Sequence, residues 1–109
     1  MAQDTITIDK DVLQSAARFR SVVESSGISV QKMILFGSHA KGRANPRSDI
    51  DLAVVSSQFG HDDVEEMQML WKKTRFADVR IEPFPLSPDD LEQSDSPLVE
   101  EIRRYGVVV

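Results

Sequence analysis

Apolar residues recur along the chain with two different periods, and these periods predict the order of its helices and strands. Helical spacing covers residues 12–23, and it returns over residues 64–71 and again after residue 87. The apolar stripe of the second helix is expected to be Val64, Met67, Leu70 and Trp71. Compact or alternating apolar runs predict strands at Lys32–Phe36, Asp49–Val55 and Asp78–Phe84, with shorter candidates at Thr5–Ile8 and Val107–Val109.

The resulting order, α, β, β, α, β, α, is typical of an α/β (α+β) domain. We expect a small mixed β-sheet with helices packed mainly on one side. The length of 109 residues suits one domain, residues 1–109. In the third strand, Val79 and Ile81 are expected on one face and Glu82 on the other. Pro83 and Pro85 are expected to end that strand, because proline cannot donate to a sheet ladder.

Composition narrows the possible classes of function. The chain is 40% apolar and 28% charged, which is typical of a folded globular protein. No apolar stretch approaches the roughly 20 residues that a membrane span needs. Cysteine is absent, so thiolate metal sites are excluded, and we expect a cytoplasmic protein. A net charge of −5 argues against direct nucleic-acid binding by overall charge, although a basic loop or bound cations can still hold phosphate.

The stretch FGSHAKGRANPRSDID, residues 36–51, carries the candidate chemistry. Asp49 and Asp51 lie two positions apart in a predicted strand, so their carboxylates share one face, roughly 6–7 Å apart along the chain. Both are expected to be ionised and to repel each other, so a cation is needed, and Mg²⁺ suits such hard oxygen ligands. Gly37 and Ser38 end the neighbouring strand, where free backbone N–H groups can hold phosphate oxygens.

Each of these features also has a simpler interpretation. An Asp-x-Asp pair can be a solvated strand end, and Gly-Ser can be an ordinary turn. Lys41, Arg43 and Arg47 can form a solvated loop, and His39 is expected to be a solvent-exposed loop residue. Trp71 and the methionines at 67 and 69 are expected in the core or on a partner surface. The joint pattern of strand, Gly-Ser, ten residues and Asp-x-Asp favours a site that holds a triphosphate on metal ions.

The same residues carry a family resemblance. Gly37-Ser38, the ten-residue spacer and Asp49-Ile50-Asp51 resemble the signature of the DNA polymerase β-like nucleotidyltransferase superfamily. The wider stretch LFGSHAKGRANPRSDIDLAVV is similar to its minimal stand-alone branch, the antitoxins of HEPN/MNT toxin–antitoxin systems, although these usually have arginine at the position of Lys41. The resemblance implies that Asp49 and Asp51 bind two Mg²⁺ ions. The phosphates of ATP are then expected on Gly37, Ser38, Lys41 and Arg43.

The resemblance also implies a third carboxylate on a later strand, which completes the metal site and helps to deprotonate the acceptor. Glu82 and Asp78 are the two candidates, and we prefer Glu82 because it lies deeper in the predicted strand. Asp78 can instead cap the preceding turn. The competing interpretation of Glu82 is a salt bridge to Arg80 or to a lysine on the solvent face.

The function that the resemblance implies is transfer of AMP from ATP to a tyrosine of a HEPN-type ribonuclease toxin, which silences the toxin. An open active face fits this expectation, because a single small domain leaves no residues for its own acceptor-binding domain. Two alternatives remain open. One is an antitoxin that blocks the toxin by binding alone, and the other is a nucleotidyltransferase acting on a small molecule such as an aminoglycoside.

Overall fold

Helices and strands follow one another in the predicted order. The computed structural model describes residues 7–109, so the strand predicted over Thr5–Ile8 lies partly outside the described residues, and residues 7 and 8 are not in a strand. No helix in the described part of the chain is long and apolar enough to cross a membrane. The elements are α1 (Lys10–Ser25), β1 (Lys32–Phe36), β2 (Ile50–Val55), α2 (Asp63–Lys73), a 3₁₀ turn (Thr74–Phe76), β3 (Ile81–Leu86), α3 (Pro88–Gln93), α4 (Pro97–Tyr105) and β4 (Val107–Val108).

The strands form one mixed sheet in the order β3-β2-β1-β4. β1 is antiparallel to β2 and β4, whereas β2 and β3 are parallel. Because side chains alternate along a strand, Met33 and Leu35 join the core under α1 and α2, while Ile34 and Phe36 join a second cluster under α4. The expected mixed sheet is confirmed, with the two long helices on one face and α4 over part of the other.

β3 differs from its predicted bounds at both ends. It begins at Ile81 instead of Asp78 and continues through both prolines to Leu86. The carbonyl of Arg80 accepts a hydrogen bond from the N–H of Ile50, and that of Leu86 accepts one from the N–H of Ser56, just after β2. The backbone N–H and C=O groups of the even-numbered residues of β3 therefore point toward β2. Pro83 and Pro85 therefore lie toward the outer edge of the sheet, where a missing N–H breaks no ladder bond. The prediction that they end the strand is wrong for this reason.

The last helical segment is divided in two, and each part begins with a serine followed by proline. The Ser87 side chain accepts a hydrogen bond from the N–H of Asp90 at the start of α3, and Ser96 accepts one from Val99 at the start of α4. Such caps satisfy N–H groups that a helix start leaves without partners. Val99 and Ile102 then fix α4 to the sheet, since both are buried.

Three large apolar side chains lie exposed near the end of α2. Trp71 and Phe76 are each 65% exposed, and Val79 is 81% exposed. Val79 was expected on a strand face, but it lies in the turn before β3. The predicted stripe of α2 is only partly correct, since Leu70 is buried, whereas Trp71 and Val64 are exposed. Of the two interpretations of Trp71, the structure excludes a core position.

Candidate active site

Two carboxylates meet across the parallel strands β2 and β3. Asp51 and Glu82 are each the second residue of their strand, and the register pairs them directly. Asp51 lies on the face that α4 partly covers, together with Ala53 and Val55. Burial, followed by the negative charges of Glu82 and Asp49, raises the pKa of Asp51 from 3.8 to about 6. A hydrogen bond between the Asp51 and Glu82 carboxyl groups contributes to the same rise.

Asp49 lies just before β2 and is exposed. Its charge is near enough to raise the pKa of Asp51, but within residues 7–109 no three His, Cys, Asp or Glu side chains form a ready-made metal site. The donor set nevertheless suits Mg²⁺, because these carboxylates are hard oxygen ligands whose mutual repulsion a cation relieves.

The Gly-Ser pair begins a tight turn that follows β1. Gly37 has φ +74°, and a Cβ at this position would overlap the Asp51 carboxylate, so only glycine brings the backbone this close to the aspartate. The N–H of Lys41 donates to the Gly37 carbonyl at 3.1 Å, and the N–H of Arg43 donates to the Ser38 carbonyl at 2.9 Å. These bonds close a turn over residues 37–42.

The turn presents three successive backbone donors. The N–H groups of Ser38, His39 and Ala40 have no acceptor among the hydrogen bonds of the described residues. Consecutive free N–H groups of this kind form a concave anion site. His39 was expected to be exposed, but it is only 8% exposed, and its Nε2 has no partner among the described residues. The prediction is wrong because the turn curls back and places residues 39 and 40 against the protein.

The two basic residues of the turn have different surroundings. Lys41 Nζ lies 3.2 Å from Glu101 Oε1 and 4.9 Å from the centre of the Tyr105 ring, both on α4. Arg43 is exposed and lines a cleft with Ala40, Lys41 and Tyr105. Glu101 also contributes to the raised pKa of Asp51, so α4 adds a further negative charge near the carboxylate pair. Lys41 therefore already neutralises one carboxylate beside the site.

Asp78 lies outside this cluster and has another role. Its carboxylate accepts a hydrogen bond from Ser15 Oγ at 2.7 Å and pairs with Arg80 at 2.7 Å, which holds its pKa well below the usual range. Arg80 also pairs with Asp11, so these contacts tie α1 to the turn before β3. Among the described residues, no salt bridge joins Arg80 to Glu82. Of the two candidate carboxylates, the structure brings only Glu82 to Asp51.

Glu101 and Tyr105 were not among the sequence-predicted site residues. Each lies about 60 positions beyond the turn that it contacts, and a single glutamate or tyrosine on an amphipathic helix carries no signal of its own. Only the packing of α4 on the sheet brings them to Lys41. Their place in the site therefore depends on tertiary structure alone.

The sequence matches the family model of the nucleotidyltransferase domain over residues 17–103. No curated protein gives a significant match. A chain of a crystal structure of a toxin–antitoxin with AMP-PNP shares the fold, with a TM-score of 0.60, 21% identity, and coverage of 84% of this chain and 69% of that one. A candidate nucleotidyltransferase from Sulfolobus solfataricus shares it with a TM-score of 0.56, 19% identity, and coverage of 95% and 90%. The chain thus belongs to the nucleotidyltransferase domain family.

Proposed function

We propose that this protein is a Mg²⁺-dependent adenylyltransferase that transfers AMP from ATP to a tyrosine of a HEPN-type ribonuclease toxin and thereby neutralises it. Membership of the nucleotidyltransferase family supports the chemistry. The shared fold with a chain from a toxin–antitoxin structure that contains AMP-PNP supports the choice of ATP and of a toxin partner. The observation that carries the proposal is the direct pairing of Asp51 with Glu82 beside the Gly37 turn.

In the proposed reaction, the phenolic oxygen of the acceptor tyrosine attacks the α-phosphorus of ATP. The new P–O bond forms as the bond between the α-phosphorus and the bridging oxygen breaks, and pyrophosphate leaves. The phenolic proton passes to Glu82, the third carboxylate of the proposal. The free N–H groups of Ser38 and the two residues after it hold the β- and γ-phosphates, with Lys41 and Arg43 adding positive charge.

Asp49, Asp51 and Glu82 would hold the metal ions. Two Mg²⁺ ions bound there would neutralise the triphosphate and stabilise charge on the attacking and leaving oxygens. The turn after β1 orients the nucleotide. Gly37 allows the backbone N–H groups that hold the phosphates to lie close to Asp51.

A second candidate is an antitoxin that acts by binding alone. The exposed apolar side chains of Trp71, Phe76 and Val79 favour this reading, since such residues commonly form protein-binding surfaces. Lys72, Lys73 and Arg75 lie beside them and would complement an acidic surface of the toxin. This surface is compatible with either candidate, so activity must separate them.

The experiment combines the protein, ATP labelled on its α-phosphate, Mg²⁺ and the protein encoded by the adjacent gene. We expect label on the partner with wild type and at least a hundredfold less with Asp49→Asn/Asp51→Asn, because the metal ligands are lost. Asp89→Asn/Glu92→Gln removes the same charge from exposed positions of α3 and should label normally. If the Asp49/Asp51 variant still neutralises the toxin fully and wild type transfers no label, the binding-only candidate is correct.

A further inference from the structure

We propose that the cleft between the Gly37 turn and the end of α4 is the nucleobase subsite, with the Tyr105 ring as its stacking surface for a purine. This inference rests on the proposed function, because it assumes that a nucleoside triphosphate binds at the turn. It assigns a binding place to the nucleobase, the part of the nucleotide for which the sequence offered no candidate residue.

The cleft has the size and position that a base requires. Its volume is about 280 Å³, and it is lined by Ala40, Lys41, Arg43 and Tyr105. Ligand pockets of drug-sized molecules begin near 300 Å³, so this cleft accommodates one ring system and not a whole nucleotide. Three of its four lining residues continue directly from the Ser38 end of the turn, where the phosphates are proposed to lie.

The cleft combines positive charge with an aromatic surface, the two features that a nucleotide can use. Lys41 and Arg43 provide positive charge on the side of the turn. Tyr105 provides an aromatic surface, and the residue is 47% exposed. The Lys41 ammonium lies over the ring, 4.9 Å from its centre, so a base would stack on the part of the ring that Lys41 does not cover.

Tyr105 is held in place by the residue after it. A Cβ on Gly106 would overlap Ile34 of β1 and the carbonyl oxygen of Ile102, so the end of α4 lies directly against the sheet. Ile102, one turn before, is buried. The backbone that carries Tyr105 is therefore fixed to the strand that leads into the Gly37 turn. A stacking surface anchored in this way loses little freedom when a base binds.

Calorimetric titration with two ligands tests the subsite directly. ATP and inorganic tripolyphosphate are titrated in Mg²⁺ into wild type, Tyr105→Ala, Tyr105→Leu and Tyr105→Phe. Base–aromatic stacking predicts that the first two variants bind ATP roughly 5- to 150-fold more weakly, with tripolyphosphate changed less than about twofold. Tyr105→Phe should bind both as wild type does. Phe76→Ala, which removes a similarly exposed aromatic ring elsewhere, is the matched control.

The outcomes separate this inference from the proposed function. Unchanged ATP affinity in folded Tyr105→Ala or Tyr105→Leu would overturn the subsite while leaving the transferase intact. Equal weakening of ATP and tripolyphosphate would also overturn it, because the cleft would then hold phosphate. Wild type that binds neither ligand would contradict the proposed function together with the subsite.

Discussion

Replacing Asp51 with asparagine should stabilise the metal-free protein at neutral and alkaline pH. The folded protein holds Asp51 close to Glu82 and partly buried, and both conditions disfavour its ionised form. Asparagine has nearly the same shape, carries no charge and can donate an N–H to the Glu82 carboxylate. Where Asp51 is ionised, above about pH 6, the substitution therefore exchanges a repulsive contact for a hydrogen bond.

The size of the effect follows from the pKa of Asp51. A rise from 3.8 to about 6 corresponds to about 3 kcal/mol at 1.36 kcal/mol per unit. Because Asp51 is only partly buried, solvent screening reduces the expected gain to about 1–2 kcal/mol. A pKa that is higher in the folded state stabilises the protein fully below about pH 4, and this stabilisation is lost as pH rises through about 6. The advantage of asparagine thus grows from about pH 4 to about pH 6, is complete above about pH 6 and vanishes below about pH 4.

Urea denaturation in EDTA at pH 8 and pH 4 measures this prediction. At pH 8 the free energy of unfolding of Asp51→Asn should exceed that of wild type by about 1–2 kcal/mol, and each kcal/mol raises the melting temperature by roughly 4–8 °C. Glu92→Gln, which removes an exposed charge from α3, should show no such gain. A gain that persists at pH 4, or none at pH 8, would refute the reasoning.

Three further predictions follow from other parts of the structure. Gly37→Ala should lower stability by about 1–3 kcal/mol and abolish label transfer, because φ is +74° and the new methyl group meets Asp51; thermal melting and the labelling assay check this. Asp78→Asn should destabilise by about 1.5–3 kcal/mol at pH 7 and by less below about pH 4, because Arg80 stabilises only the charged form of Asp78. Urea midpoints at pH 7 and pH 3 measure the difference, and loss of label transfer would contradict its purely structural role. Trp71 is the single tryptophan, so its emission should shift to shorter wavelength when the partner covers it, and unchanged emission in a formed complex would exclude that surface.

Local signals in the sequence predicted most of the fold. The run Lys32–Phe36 and the alternation around Asp51 placed two strands correctly within one residue. Helical spacing after residue 87 indicated the last helical segment, and a serine–proline pair stands at the start of each of its two helices. These signals succeed because capping, backbone preference and strand periodicity act over a few neighbouring residues.

The errors arise where distant parts of the chain decide the outcome. Pro83 is typical of a strand end unless it is known which edge of β3 pairs with β2. The burial of His39 depends on how the turn folds back, and neighbouring residues do not encode it. The contacts of Lys41 with Glu101 and Tyr105 require α4 to pack on the sheet, so the loop sequence carries no sign of them.

The prolines of β3 also determine how this protein can associate with other chains. Along the outer edge, Pro83 and Pro85 have no N–H, and the N–H of Ile81 already donates to the carbonyl of Asp78. A strand from another molecule would therefore find no donor on this edge and could not extend the sheet there. Growth of a fibril by strand addition at this edge is disfavoured by the same chemistry. A partner that docks along this edge finds only carbonyl acceptors on the backbone of β3, so side chains must supply most of its recognition, and point substitution can change it without disturbing the sheet.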